Sequence, residues 1–254
     1  MNHSSAGGGM SSNERDFIAR SMEADVRVDG RRRLDSRLLS MTANEEGNGI
    51  ELGLGETKVL ATASAELVEP FADRPAEGIL QFFVDLSPMA APDFEPGRAS
   101  EPAVELMRLL ERSVRKSQAV DIESLCIIAG KRVWSIRCDI TVINHRGNLA
   151  DAVMLAALGA LDHLRLPAVM LSGAGDEATV QILPPDQAET SALSFHHRPV
   201  AVSFGFFRHM DAGPIVLALD PTEREEQEEP LFPRRYCSKA YITRSRSPLT
   251  GWSG

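Results

Sequence analysis

Two stretches of the chain repeat apolar residues with the period of an amphipathic helix. Between residues 100 and 118, leucines and a valine recur every three or four positions, and Pro102 stands where a first helical turn tolerates proline. Residues 149–164 are apolar nearly all round and rich in Ala and Gly, which is typical of a helix buried by close packing on a sheet. Both stretches are therefore predicted to be helices, the second as part of the core.

Short runs of β-branched and aromatic residues, separated by turn residues, surround these two helices and predict strands. The first two runs flank residues 54–57 and predict a hairpin, whereas the Pro- and Gly-rich residues 88–97 predict a loop. Strands and helices mix without strict alternation, which favours an α+β fold over a doubly wound parallel sheet. The predicted strands cover residues 50–53, 58–63, 78–86, 122–129, 133–143, 178–183, 200–207 and 215–219.

The two ends of the sequence differ from its middle. Residues 1–9 are rich in Gly and Ser and predict a flexible leader, and a capping box that begins at Ser11 predicts a short helical arm. The apolar side of this arm consists of Phe17, Ile18 and Met22. Residues 223–229 are nearly all acidic, and residues 230–254 contain five Lys or Arg, no acid and no sustained periodicity. We interpret this last segment as a divergent basic tail.

Composition sets broad limits on function. The chain has 254 residues, of which 43% are hydrophobic and 25% charged, as in an ordinary globular protein of one large domain or two small halves. Its formal net charge of −9 argues against a nonspecific nucleic-acid binder, whose affinity would rest on neutralising phosphates with Lys and Arg. Local basic patches remain compatible with this charge.

Cysteine usage and the absence of long apolar runs point to a reducing intracellular compartment. Cys126, Cys138 and Cys237 show no C-x-x-C spacing, so we expect reduced thiols packed in the core. Residues 1–12 lack the apolar centre of a secretory signal, and no run reaches the ~20 apolar residues of a membrane span. We therefore expect no membrane association.

The most informative stretch is residues 138–152, which read as a strand, a tight turn and a helix. Backbone N–H groups at a helix start are unpaired and lie at the positive end of the helix dipole, so they predict an anion site. Asn148 is the expected N-cap, with Asp151 completing a partial capping box. An enzyme that uses phosphate would add an Arg fork or a hydroxyl at this turn, but the chain has Gly147 and Asn148.

Several blocks, in order, resemble the RNase PH family. They are RVDGR at 27–31, LGETKVLA at 54–61, MAAPDFEPGR at 89–98 and NHRGNLADA at 144–152. Three further phrases resemble one branch closely, the non-catalytic ring subunit of the eukaryotic RNA exosome of the PM/Scl autoantigen type. These phrases are ESLC at 123–126, LSFHH at 193–197 and DPTEREE at 220–226. The resemblance covers about residues 12–227.

The resemblance implies an α+β, RNase PH-like fold of the ribosomal protein S5 domain 2-like type, with two βαβ-containing halves. The implied organisation is a leader and arm at 1–22, an RNase PH-like domain at 23–229 with halves at 31–165 and 166–229, and the tail at 230–254. The family continues beyond about Gln227 through further strands and a long closing helix, and none is predicted here. We therefore expect an incomplete second half with an uncovered apolar sheet face.

The resemblance also implies how the active members work and where this chain departs from them. Active members degrade RNA from its 3′ end by phosphorolysis and hold phosphate with a turn arginine, a neighbouring hydroxyl, an upstream arginine and downstream acids. In this chain the turn arginine falls on Asn148, the hydroxyl on Gly147 and the upstream arginine on about Pro102. Only the acids remain, as Asp220 and Glu226. Losing two such ligands is expected to abolish catalysis.

Basic residues on the first long helix suggest a route for RNA. Arg108, Arg112 and Arg115 recur at steps of four and three and so form one stripe. On its own such a stripe indicates a solvated face, but in related rings this helix lies near the path of RNA, which makes RNA phosphates expected partners. Arg98 is a weaker candidate of the same kind. Arg146 lies near the turn but is expected to point away from it.

No cofactor or metal is expected. The neighbouring His196 and His197 would point to opposite faces of a strand, and no Cys or carboxylate completes a metal-binding spacing, so they are interpreted as structural.

Three functions are compatible with the sequence. The leading one is a non-catalytic scaffold in a six-membered exosome ring, with other RNase PH-like subunits, S1/KH cap subunits, associated hydrolytic nucleases and RNA as partners. The alternative is an active phosphate-dependent 3′-to-5′ exoribonuclease, and a third is an altered isoform that cannot assemble and acts as a binding competitor. The resemblance implies a location in nucleus, nucleolus and cytoplasm.

Overall fold

The computed structural model describes residues 11–44, 49–92, 94, 100–172, 179–184, 189–208, 215–227 and 241–243. In these ranges no helix is both long and apolar enough to cross a bilayer. The helices are α1 Ser12–Glu23, α2 Glu101–Leu110, α3 Leu149–His163 and α4 Glu223–Gln227, and α2 continues into a π-helical turn at Glu111–Arg115. The capping box predicted at Ser11 is confirmed, since Ser11 and Glu14 exchange side-chain and backbone hydrogen bonds.

A six-stranded sheet is built from strands between residues 39 and 144. Its order is β1-β2-β3-β6-β4, with β5 paired to β6; β4 runs parallel to β6 and the other pairs are antiparallel. The predicted hairpin is confirmed as β2 and β3, which the two residues Gly55 and Glu56 connect. The strands are β1 Leu39–Ala43, β2 Gly49–Leu54, β3 Thr57–Val68, β4 Ile79–Leu86, β5 Cys126–Ile128 and β6 Arg132–Asn144.

Helices α2 and α3 lie on one face of this sheet, which accounts for the core. Alternate residues of β4, from Leu80 to Leu86, are buried on that face, as the period of two in a strand requires. Helix α3 packs on β2 and β3, and nine of its residues are buried, which confirms the predicted core helix. The other face is open to solvent, with Phe83 beneath the guanidinium of Arg137 at 4.3 Å.

The remaining strands, after α3, are short and form four pairs. They are β7 Arg165–Leu166, β8 Val169–Ser172, β9 Thr179–Ile182, β10 Ser191–Ala192, β11 Arg198–Val200, β12 Phe204–Arg208, β13 Ile215–Leu219 and β14 Tyr241–Thr243. They pair antiparallel as β7 with β10, β8 with β9, β11 with β14 and β12 with β13. This mixture of strands and helices agrees with the predicted α+β class.

The structure differs from the local predictions in four places. The predicted strand at 200–207 is divided between β11 and β12, and β1 was not predicted at all. The tail, for which no strand was predicted, contributes β14, which extends the edge of β11. Phe17 does not share the buried side of the arm: it is 61% exposed, whereas Ile18 and Met22 pack with Phe207, Val216 and Ala218 of β12 and β13.

Candidate functional site

The turn between β6 and α3 is shaped by a glycine without room for a side chain. Gly147 has φ +93°, and a Cβ there would lie 2.8 Å from the carbonyl oxygen of Pro221 and closer still to the backbone N of Glu223. The backbone N–H of Glu223 in turn donates to the carbonyl oxygen of Arg146 at 3.1 Å. The segment that precedes and begins α4 therefore lies directly against the turn where the sequence predicts an anion site.

Asn148 precedes α3 as predicted, but it is not a side-chain cap. Its backbone is left-handed, with φ 54° and ψ 50°, and its side chain caps no N–H of the helix. Instead Nδ2 donates to Asp151 Oδ2 at 2.8 Å and to Asp220 Oδ1 at 2.7 Å. The predicted capping box between Asn148 and Asp151 is therefore wrong: both are buried, and Asp151 accepts from the N–H and the hydroxyl of Ser203.

The N–H groups of the turn already have partners within the protein. The N–H of Asn148 donates to Glu226 Oε1 at 2.8 Å, and that of Gly147 donates to His145 Nδ1 at 3.3 Å. Glu226 thus places a carboxylate oxygen at the start of α3, where a helix favours negative charge. The structure brings all four residues of the predicted site together, namely Gly147, Asn148, Asp220 and Glu226.

Two arginines that sequence reasoning missed surround Asp220. Arg37 donates its backbone N–H and Nε to Oδ2, both at 2.9 Å, and Nη2 to Oδ1 at 2.7 Å. Arg31 adds Nη1 to Oδ2 at 3.0 Å. Arg31 lies in the RVDGR block, which was a usable signal, whereas nothing local distinguishes Arg37. Arg37 also reaches the carbonyl oxygens of Arg146 and Gly147, at 3.0 and 3.2 Å, and so ties the turn to Asp220.

The acids of this cluster differ in proton affinity. Burial alone would raise the pKa of Asp220, but the hydrogen bonds from Arg37 and Asn148 outweigh it and bring that pKa below its ordinary value. Burial raises the pKa of Glu226 to about 7, because the N–H of Asn148 and the charge of Arg37 offset it only in part. Burial also raises the pKa of Asp151. Asp220 is therefore the carboxylate that carries negative charge across the neutral range.

Arg146 and His145 lie near the turn, but neither supplies the positive charge of the missing arginine there. Arg146 is exposed and pairs with Glu223 Oε2 at 3.3 Å and Glu56 Oε2 at 3.6 Å, as expected for a side chain that points away. Pro102 lies in the first turn of α2 and is itself exposed. His145 faces the positive side chains of Arg37 and Arg146, and burial, the largest effect, lowers its pKa, so it is neutral near pH 7.

A buried ion pair fixes α4 beside the turn. The guanidinium of Arg27 binds both carboxylate oxygens of Glu225, and the two side chains are 0% and 1% exposed. Arg27 also donates to the carbonyl oxygens of Leu219 and Asp220 at 2.6 and 2.8 Å. The acidic run at 223–229, which by sequence is only a break in composition, thus begins with a packed helix.

The predicted basic stripe lies on the surface. Arg108 is in the last turn of α2, and Arg112 and Arg115 are in the π-helical turn. All three are exposed, and none forms an ion pair within the described residues. Arg98 lies outside the described residues. The stripe opposes the buried Leu106 and Leu110, as predicted, although Leu109 is only half-buried.

His196 and His197 make local contacts. His197 Nε2 lies 3.2 Å from the Ser117 hydroxyl, and His196 Nε2 lies 4.0 Å from Asp121, so both lie against the segment that follows the π-helical turn. Cys126 and Cys138 are unpaired, and burial raises the pKa of Cys138 to about 12. Cys237 lies outside the described residues. In the part of the chain that the structure describes, no group of three His, Cys, Asp or Glu could hold a metal ion.

Comparison with known proteins gives consistent results. The model of the 3′ exoribonuclease family, domain 1, matches residues 40–167. Exosome complex component RRP45A of Arabidopsis thaliana is 43% identical over 214 residues, which cover 84% of this chain and 68% of that protein. Human exosome complex component RRP45 is 44% identical over 218 residues, 86% of this chain and 48% of that protein. The chain thus spans about two thirds of the first relative and about half of the second.

Solved structures agree on the fold. An Archaeoglobus fulgidus exosome with RNA bound to the active site matches with TM-score 0.68 and 28% identity, covering 85% of this chain and 78% of that chain. An archaeal exosome core matches with TM-score 0.62 and 26% identity, covering 85% and 76%. Rice Rrp46, at 18% identity and TM-score 0.52, supports the fold alone.

Proposed function

This chain belongs to the RNase PH family of 3′ exoribonucleases, and from that premise we propose that it is a non-catalytic ring subunit of an RNA exosome. In this role it supports 3′-to-5′ RNA processing and degradation by holding the ring together and lining the path of RNA. Relatives that are themselves named exosome complex components support the assembly. The interior of the candidate site supports the loss of catalysis.

The observation that carries this proposal is the occupant of the turn. At the turn where the family holds phosphate, this chain has Gly147 and Asn148 in place of the hydroxyl and the arginine. The N–H of Asn148 donates to Glu226, and the backbone of Pro221 and Glu223 lies against Gly147. Arg31 and Arg37 are paired with Asp220, and Arg146 is paired with Glu56 and Glu223. A phosphorolytic site needs free cationic donors directed at phosphate, because such charge-assisted bonds provide most of the stabilisation of developing charge.

RNA contact is assigned in this proposal to the basic stripe. Arg108, Arg112 and Arg115 are exposed without an ion pair in the described ranges, so their charges are available to phosphates. Arg98 belongs to the same proposed surface. A protein of net charge −9 gains little from nonspecific attraction to RNA, so a localised stripe fits a defined path better than a diffuse surface.

The wider setting follows from the same proposal. The partners are other RNase PH-like subunits that complete a six-membered ring, S1/KH cap subunits above it, and hydrolytic nucleases that carry out the cleavage. The corresponding locations are the nucleus, nucleolus and cytoplasm. No bound cofactor is part of this function.

Reconstitution of the ring tests the proposal. The chain is co-purified with RNase PH-like partner subunits, without hydrolytic nucleases, and incubated with RNA, magnesium and phosphate. We expect the chain to enter the ring, as measured by native mass spectrometry, and any nucleoside diphosphates to come from the partners alone. Glu226→Gln in this chain should then leave their yield unchanged, and Arg146→Ala serves as a second variant near the turn.

Two results would contradict the proposal. A chain that never co-purifies with a ring partner would exclude the scaffold role. Nucleoside diphosphate release that disappears when only Glu226 is changed would show that this chain carries an active phosphorolytic site.

A further inference from the structure

Strand β1 is one edge of the six-stranded sheet, and its outer side lies open. In the described part of the chain it pairs only with β2, in an unbroken register from Leu39 opposite Leu54 to Ala43 opposite Ile50. Met41 is half-buried, and the other residues of β1 are exposed. An edge strand of this kind presents unpaired N–H and C=O groups along its outer side.

The hydrogen bonds to β2 show which backbone groups of β1 are free. The carbonyl oxygen of Leu38 accepts from, and the N–H of Asn44 donates to, backbone groups at or directly beyond the ends of β2, at 2.8 and 2.9 Å. In an antiparallel pair alternate residues exchange both bonds with the facing strand, so Ser40 and Thr42 also bond to β2. The groups that point away from β2 have no hydrogen-bond partner in the described ranges, and they belong to Leu39, Met41 and Ala43.

The protein itself satisfies this row of groups only just before β1 begins. Arg37, two residues before Leu39, directs its backbone N–H to Asp220, whose Oδ2 accepts it at 2.9 Å. From Leu39 to Ala43 the described chain supplies no further partner of this kind. The outer edge is therefore open over the whole length of β1.

Strand β1 also lacks the features that usually keep an edge from pairing with another chain. Soluble proteins protect edge strands with charged side chains, proline or a bulge. The sequence of β1 is Leu-Ser-Met-Thr-Ala, without a charge or a proline, and its register with β2 is not interrupted. The backbone of β1 can therefore accept a further strand without a clash or a buried charge.

The side chains of β1 determine what such a strand must carry. Met41 points toward α3, since a Cβ at Gly159 would lie 3.1 Å from its sulfur. The residues two positions before and after Met41 share that side, whereas Ser40 and Thr42 lie on the open face of the sheet. Cross-strand neighbours in a sheet share a face, so the matching strand has apolar side chains on the α3 side and polar ones on the open face.

We propose that the free edge of β1 binds an extended strand of a neighbouring subunit in the ring, so that the six-stranded sheet continues into the partner. The partner strand carries apolar side chains at alternate positions, opposite Leu39, Met41 and Ala43, with polar ones between them. The proposal rests on the proposed function, which supplies the neighbouring subunit. It adds where on this chain that neighbour binds and by what chemistry.

Hydrogen exchange of single amides tests the pairing directly. The full chain is compared alone and in a ring reconstituted with RNase PH-like partner subunits, and exchange is followed at each amide of β1 by fragmentation mass spectrometry. In the isolated chain Ser40 and Thr42 should be protected by β2, whereas Leu39, Met41 and Ala43 exchange fast. In the ring the exchange of these three amides should slow by on the order of 100-fold.

A proline at the edge distinguishes strand pairing from simple coverage. Ala43→Pro removes an N–H that points away from β2, so it leaves the bonds between β1 and β2 in place. In competition with the wild-type chain, this variant should enter the ring about tenfold less well, because a backbone hydrogen bond to the partner is lost. Ala43→Ser keeps the N–H and is the matched control, which should enter as wild type does. If Ala43→Pro does not fold alone, Leu39→Asp replaces it, since it keeps the backbone and places a charge where the partner brings an apolar side chain.

Several results overturn the proposal. If the three amides exchange equally fast in the ring, the edge stays free, although the chain is still a ring subunit. If they are protected but Ala43→Pro enters as well as Ala43→Ser, the edge is covered without strand pairing. Protection that already appears in the isolated chain and increases with its concentration assigns the edge to a second copy. A chain that never enters the ring refutes the proposed function and, with it, this occupant of the edge.

Discussion

The neighbouring acids Asp220 and Glu226 have pKa values shifted in opposite directions, because burial and nearby donors act on them to different extents. Burial would raise the pKa of Asp220, but its hydrogen bonds with Arg37 and Asn148 and the charge of Arg37 bring that pKa below the ordinary value. Glu226 has one backbone N–H donor and sits near the charge of Asp220, so burial dominates and raises its pKa to about 7. One carboxylate is therefore ionised throughout the neutral range, and the other changes its charge within it.

Glu226 should make folding stability depend on pH. Its pKa in the folded chain, about 7, lies above the ordinary 4.5, so the folded chain binds this proton more tightly than the unfolded chain. The resulting stabilisation of the fold is complete below pH 4.5 and is lost as pH rises through 7. Glu226→Gln should remove the loss and raise the free energy of unfolding at pH 8 by up to about 3 kcal/mol, with little change at pH 4.5. Denaturant unfolding across this range measures it. Glu56→Gln, at an 81% exposed side chain, is the control and should follow wild type; equal offsets at both pH values would argue against this assignment.

Removing one partner of the ion pair between Arg27 and Glu225 should lower the free energy of unfolding strongly. Both side chains are fully buried, so Arg27→Met leaves an unpaired charge and should lower the free energy of unfolding by about 3 to 5 kcal/mol. Arg27→Met/Glu225→Leu should cost less than the sum of the two single changes. The exposed pair of Arg74 and Glu77 is the comparison, and Arg74→Met should cost less than about 1 kcal/mol. Additive effects at Arg27 and Glu225 would show that the two do not act as a pair.

At the scale of elements, helix α1 packs against strands β12 and β13. Its buried residues complete a small second core with β12 and β13, separate from the main core under α2 and α3. The helix thus covers one face of a two-stranded sheet that would otherwise lack support on both faces.

The two sides of α1 should respond differently to truncation. Met22→Ala removes a fully buried side chain and should lower stability by about 2 to 5 kcal/mol, whereas Phe17→Ala, at an exposed position of the same helix, should change it by less than about 0.5 kcal/mol. Hydrogen exchange of the α1 amides measures local detachment. Equal protection in the two variants would mean that α1 is not docked through Met22.

The stripe at the end of α2 provides a test of RNA contact. Replacing Arg108, Arg112 and Arg115 with Glu should weaken RNA binding by the assembled ring and reduce the salt slope by about 0.7 for each lost contact to single-stranded RNA. Fluorescence anisotropy at several salt concentrations measures both. The matched control replaces Arg15, Arg32 and Arg74, which are also exposed, so that net charge changes equally. If both triple variants behave alike, the stripe is only a solvated face.

At the scale of the whole molecule, the sheets are unequally covered. The six-stranded sheet has helices on one face, whereas two of the two-stranded ribbons that follow α3 carry exposed apolar side chains. The exposed residues are Met170, Leu171 and Ile182 on β8 and β9, and Phe206, Ile215 and Leu217 on β12 and β13. Large exposed apolar groups of this kind are a hazard for association.

The isolated chain should therefore bind ANS and self-associate, and both signals should fall on entry into a ring. Phe206→Thr/Leu217→Thr should reduce them, because these two residues face each other across β12 and β13. Leu38→Ser, at an exposed leucine outside these two ribbons, is the control. Sedimentation velocity and ANS fluorescence provide the measurements. A chain that stays monomeric alone, binds no ANS and unfolds in one cooperative transition would disprove this.

Local sequence patterns predicted much of the fold but few of the hydrogen bonds and ion pairs within the candidate site. The capping box at Ser11, the hairpin of β2 and β3 and the buried α3 depend on near neighbours, so the sequence reveals them. The contacts of Arg37 with Asp220 and of Glu226 with Asn148 join residues 183 and 78 positions apart, and no local pattern encodes them. β1 was missed because its side chains are mostly exposed and show no alternation.

The distance along the chain between the turn and the acids that bind it also sets an order of events during synthesis. Glu226 follows Asn148 by 78 residues, so at ribosomal rates of about 5 to 20 residues per second it is made roughly 4 to 16 s later. In that interval all six strands of the first sheet are available to pair, while the N–H of Asn148 and the guanidinium of Arg37 lack their carboxylates. The carboxylates of residues 220–226 are therefore the last groups of this cluster to be made, and the turn reaches its final set of hydrogen bonds only after they are in place.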